Sequence, residues 1–145
     1  MDVLEHLIQE HRKAEQLIAR LEKAKTRDER APVLAELGDA LATHMEVEER
    51  RVYPLIEEHL GENRAVEAET EHDKARDGLS RLTELIDQSA FAAALTEFKG
   101  DLAHHVTEEE TSLFPSLRKQ ASGEIAALGD SDDVEEDVKD EVAAE

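Results

Sequence analysis

Seven histidines and 37 Asp or Glu residues stand in a chain of 145 that has no cysteine. Disulfides, thiolate-bound zinc, iron-sulfur clusters and Cys nucleophiles are therefore excluded, and any metal must be held by imidazole and carboxylate. Two His-carboxylate pairs have a suitable spacing. His44 precedes Glu48, and His105 precedes Glu109, by four residues, which on a helix aims both members of a pair at one point. His11 and His72 stand singly among apolar residues. Sliding the chain on itself by 61 positions aligns residues 1–60 with 62–121 without a gap and gives 15 identities. They pair His11 with His72, His44 with His105, Glu48 with Glu109, Glu49 with Glu110, Leu41 with Leu102 and Pro54 with Pro115.

These polar residues sit where helices bury their apolar stripes. Apolar residues recur at three and four through residue 120, giving four helical segments. The first presents Leu4, Leu7, His11, Ala14, Ile18 and Leu21, and the second Leu34, Leu37, Leu41, His44, Glu48, Val52 and Leu55. The third presents Ala65, Ala68, His72, Ala75, Leu79, Leu82 and Ile86, and the fourth Phe91, Leu95, Phe98, Leu102, His105, Glu109 and Leu113. Breaks are expected at Thr26 to Asp28, at Gly61 to Asn63 and at Asp87 to Ser89. Connections this short predict an all-α, up-down-up-down four-helix bundle made of two repeated hairpins. Pro54 and Pro115 are expected to kink or end the second and fourth helices. Tyr53 and Phe114, equivalent in the repeat, are expected to pack the bundle end.

A pseudo-two-fold axis through two such hairpins would bring four His and two Glu together in the core. Left buried without partners they would cost several kcal/mol apiece, roughly. A single His in an apolar stripe is ordinarily a hydrogen-bonded core residue. Four in register, two with a carboxylate at one spacing, favour a pair of divalent or trivalent cations, with one nitrogen from each imidazole and two bridging carboxylates. His6, His59 and His104 have no matching His and are read as surface or cap residues, His104 adjoining a candidate ligand. Glu49 and Glu110 are read as orienting ligands or facing solvent.

The formal charge of -20 makes nucleic acid and anionic membranes poor partners. No apolar run approaches the ~18 residues of a membrane span, and the charged N-terminus does not look like a secretory signal, so a cytoplasmic location is expected. Residues 129–145 carry nine acidic residues and one Lys. Residues 1–120 are expected to form the bundle and 121–145 an acidic, flexible tail, although Val134, Val138 and Val142 are spaced for a weak amphipathic helix.

The segments EHRKAE around His11, LATHMEVEERRVYP around His44, EHDKA around His72 and LAHHVTEEETSLFP around His105 resemble the hemerythrin family, in particular its bacterial His-His-Glu cation-binding domains. The resemblance spans about residues 1–120. It implies two non-haem irons with a bridging oxo or hydroxo group, His11 and His44 on one, His72 and His105 on the other, and Glu48 and Glu109 bridging. Each iron would keep one open position for a small ligand. The oxygen-carrying members have a fifth His where this chain has Arg76, which argues against pure oxygen transport. The carriers also take the fourth-helix carboxylate five residues after its His, here Glu110, whereas the repeat supports Glu109. Ferritin-like proteins use Glu-x-x-His on two helices, which only Glu69 with His72 matches, and His-Glu-x-x-His of the zinc proteases is absent. The functional expectation is binding or sensing of O2 or NO, with peroxide decomposition as the enzymatic alternative and iron buffering as a lesser one. Manganese or zinc is a less favoured occupant, and no protein partner is indicated.

Overall fold

The computed structural model describes residues 1–145, and its regular elements are all helical. They are α1 (Val3–Lys23), α2 (Arg27–Val47), α3 (Tyr53–Leu60), α4 (Glu62–Glu84), α5 (Phe91–Glu108), α6 (Phe114–Gln120), α7 (Ser122–Leu128) and α8 (Ser131–Ala143). The breaks after α1, α3 and α4 lie close to the predicted turn-forming residues, while those at Ala121 and at Gly129–Asp130 are additional. Asp2 Oδ1 accepts from the Glu5 N–H at 2.9 Å to start α1, and Thr26 Oγ1 accepts from the Glu29 N–H at 3.2 Å to start α2, each cap being worth about 1 kcal/mol. Gly61 alone separates α3 from α4, at φ 104, a left-handed conformation open to Gly and strained for other residues.

The two prolines do not end their helices. Between α2 and α3 the chain forms a π-helical turn over Glu48–Val52, and between α5 and α6 another over Glu109–Leu113. The Tyr53 N–H bonds to the Glu48 carbonyl, and the Phe114 N–H to the Glu109 carbonyl, five residues back in each case. Pro54 and Pro115 then sit in the first turn of α3 and α6, where a missing N–H costs little. The expected kink or stop is thus replaced by one widened turn.

α1 packs on α2 and α4 on α5, forming two hairpins that meet through α1 with α5, α2 with α4 and α3 with α6. Their interior is divided. One apolar cluster contains Leu4, Leu7, Val52, Tyr53, Ile56, Phe114 and Leu117; the other contains Ile18, Leu21, Leu37, Leu41, Leu82, Phe91 and Phe98. The buried polar residues His11, His44, Glu48, His72, His105 and Glu109 belong to neither cluster. Two substitutions within the repeat compensate in volume, since Gly78 and Phe98 stand where the first hairpin has Leu17 and Leu37. A Cβ at Gly78 would lie 2.7 Å from Phe98 Cδ2.

The acidic tail is also helical rather than flexible. Val134 and Val138 are buried in the first apolar cluster, Asp130 caps α8 through the Asp132 N–H, and the Ser131 N–H bonds to the Met1 carbonyl at 3.0 Å. Arg50 pairs with Glu141 and Glu145, and Arg51 with Glu141. These cations offset the acidic self-repulsion that argued for disorder. No helix is long and apolar enough to cross a membrane.

Candidate metal centre

His44 and Glu48 end α2, and His105 and Glu109 end α5, each Glu opening a π-helical turn. Their donor atoms fall into two groups that share both carboxylates: His11, His44, Glu48 and Glu109, and then His72, His105, Glu48 and Glu109. Within each group the atoms lie within 4.8 Å of one another. Glu48 faces His44 of its own hairpin at 3.1 Å and His72 of the other at 2.9 Å. Glu109 mirrors it, facing His105 at 3.2 Å and His11 at 3.1 Å. The rings pair likewise, with centroids 4.9 Å apart for His11 with His44 and for His72 with His105. All six residues singled out by the repeat therefore converge.

A second ring of carboxylates holds the imidazoles from outside. Nδ1 bonds to Glu110 at 2.7 Å in His11, to Glu10 at 2.9 Å in His44, to Glu49 at 2.6 Å in His72 and to Glu71 at 2.6 Å in His105. Each bond places a proton on Nδ1 and turns Nε2 inward, the arrangement that orients and strengthens a His ligand. Glu49 and Glu110 thus fix the orientation of imidazoles, and Glu109, not Glu110, faces the centre. Glu10 and Glu71 were not singled out from the sequence, though a signal existed: both copies read Glu-His, and this pair is identical in the repeat. Arg76, at the position of the carriers' fifth His, reaches Glu49 at 2.6 Å and supplies no donor.

The repeat places Tyr53 at the bundle end with Phe114, and the structure brings its hydroxyl into the centre. It donates to Glu109 Oε2 at 3.0 Å and lies 2.9 Å from His72 Nε2 and 3.4 Å from His105 Nε2. On an uninterrupted α-helix Tyr53 would lie about 140° round from Glu48; a turn containing one extra residue brings it back by about 100°. Phe114, the equivalent residue, stacks on His11 with centroids 6.3 Å apart and brings no polar atom.

The electrostatics express a need for positive charge. Burial opposes a charged His44, but Glu48 and Glu10 outweigh it and lift the imidazole to about 10. Burial is likewise overcome at His105 by Glu109, Glu48 and Glu71, which lift it to about 12, and at His72 by Glu48 and Glu49. Glu48 is held well below the usual carboxylate range despite burial, chiefly by His44. Burial, reinforced by Glu48 and Glu109, pushes the Tyr53 phenol well up. Even so, His11 Nε2, Glu48 Oε2 and Glu109 Oε1 are buried without a hydrogen bond. Such orphans are costly, and these three belong to the inner donor set, so the residues fit a pair of cations. Two divalent ions would replace, charge for charge, the four protons that four imidazoles can carry.

On the side toward Phe98 a cavity of about 20 Å³ adjoins the four imidazoles, walled by Ala14, Leu41, Met45, Ala75, Phe98 and Leu102. One water-sized occupant needs about 10–15 Å³.

The hemerythrin HHE cation-binding domain matches residues 2–138, and the chain belongs to that family. An uncharacterized hemerythrin-like protein of Schizosaccharomyces pombe is 38% identical over 88 residues, which cover 58% of this chain and 43% of that protein. The match thus spans less than half the length of this curated relative. No solved structure matches.

Proposed function

We propose that the chain is a non-haem di-iron protein, built as an up-down-up-down bundle of two hairpins, that binds O2, NO or a similar small molecule at its metal centre. The observation that carries this reading is the sharing of Glu48 and Glu109 by both donor groups, the pattern of two adjacent ions bridged by carboxylates. His11 and His44 would hold one ion and His72 and His105 the other. When bound, the irons supply redox-active sites with exchangeable coordination positions.

The chain's own residues do the rest. Glu10, Glu49, Glu71 and Glu110 fix the ring orientations, and the small volume of the adjoining cavity limits the guest to a few atoms. A second reading, decomposition of peroxide, is favoured by Tyr53, whose hydroxyl holds a proton 3.0 Å from Glu109. Iron buffering is a weaker reading, because the donor set accommodates two ions per chain.

Metal content of the protein purified from its host tests the centre. Two irons per chain are expected, with Glu48→Ala and Glu109→Ala holding fewer and His59→Ala unchanged; equal iron in all of them would refute the assignment. Reversible visible-range changes with O2 or NO and no peroxide turnover support binding, whereas sustained turnover supports the enzyme.

A further inference from the structure

Beyond the centre, three clusters combine a His with carboxylates: His6 with Glu10 and Glu135, His59 with Glu58 and Glu124, and His104 with Glu71 and Glu108. Their imidazoles are not equally satisfied. His59 Nε2 bonds to Glu124 at 2.7 Å, and His104 is 74% exposed, so water serves it. His6 Nε2 is sealed from solvent and has no hydrogen bond, although Glu10 Oε2 and Glu135 Oε2 each lie 3.4 Å away.

That spacing matches a different partner. Two donors on a tetrahedral ion with bonds of about 2.0–2.2 Å stand about 3.4 Å apart. We infer that His6 Nε2, Glu10 Oε2 and Glu135 Oε2 form a further site for a divalent cation of zinc type, which fastens α8 to α1. Glu10 and Glu135 also border a cavity of about 310 Å³ whose lining includes Lys13, Glu36, Asp39 and Lys139 and which reaches His44. His6 itself does not line this cavity, and Lys139 Nζ stands 3.3 Å from Glu135 Oε1, which leaves Oε2 to face His6. Four carboxylates against two ammonium groups still favour a cation there, and water in the cavity can reach it from the side of Glu10 and Glu135. Glu10 serves both places, one oxygen accepting from His44 Nδ1 and the other facing His6.

The site stands independently of what fills the dinuclear centre, because its test reads a difference. The iron-loaded protein, His6→Ala and Glu135→Gln are each equilibrated with Zn2+ and desalted, and their metal content is measured. Wild type is expected to hold one zinc more than either variant, with equal iron in all three. Zinc should also slow amide exchange in α8 of the wild type alone. Glu135→Gln keeps the shape and helix propensity of the residue, so its loss of zinc reports ligation and not unfolding. Equal zinc in the three proteins, or zinc that leaves α8 exchange unchanged, overturns the site.

Discussion

Tyr53 and Phe114 occupy equivalent positions of the repeat and lie against His72 and His11, yet only Tyr53 places an oxygen in the centre. The two halves of a nearly symmetric donor set therefore differ at one atom. Tyr53→Phe removes that difference. It should lower stability by about 1 kcal/mol, the usual net worth of one hydrogen bond, and change the visible spectrum of the iron-loaded protein while leaving iron content at the wild-type level. Denaturant unfolding and absorption spectra check this, and unchanged spectra would place the hydroxyl outside the metals' influence.

The outer carboxylates give a second prediction. Glu49→Gln and Glu71→Gln keep a hydrogen-bond acceptor for the His72 and His105 Nδ1 protons but remove its charge. Partners of this kind are worth about 10–100-fold in metal affinity, so each variant should bind iron more weakly by about that factor at unchanged helicity. Competition with a chelator measures it. Wild-type affinity in both would mean that inner donors alone set the binding.

The pH dependence of the metal-free protein follows from the raised imidazoles. His44 and His105 titrate at about 10 and about 12 in the folded chain and near 6.5 when unfolded. Their contribution to stability is complete below about pH 6.5 and declines as pH rises toward the folded values. Glu48, depressed, contributes with the opposite sense and is lost only in acid. Thermal melts of chelated protein should therefore weaken from about pH 6.5 to about pH 9.5. Metal loading has the reverse trend, since cations compete with protons for the same nitrogens. A flat melting profile across that range would show that the imidazoles are not charged.

Removing residues 131–145 deletes α8 but none of the six inner donors. Loss of Val134 and Val138 from the core should cost about 3 kcal/mol, taking the lower end for each buried Val, while the dinuclear iron content stays the same. Urea unfolding and metal analysis of the truncated protein decide. Loss of iron would mean that α8 supports the centre as well as the fold.

The hairpins and the convergence of the four His and two Glu were legible because each obeys a regular helical period and each occurs twice. Tyr53 was hidden for a geometric reason: at five residues from Glu48 it leaves the face of a regular helix, and only the π-helical turn restores it. Pro54 and Pro115 announced an irregularity but not its kind, since a proline can be met by a stop, a kink or a widened turn. The tail misled because its charge dominates any compositional reading, while the arginines that neutralise it, Arg50 and Arg51, lie far away in sequence.

Each imidazole pair comes from one hairpin, whereas Glu48 and Glu109 each reach across to the other. In symmetry terms this is an isologous dimer written into a single chain. Were the halves separate molecules, the centre would assemble and dissolve with concentration, and mismatched copies could compete for the crossing carboxylates. The single residue Gly61 removes both dependences, making the pairing of half-centres a property of the polypeptide and not of its abundance.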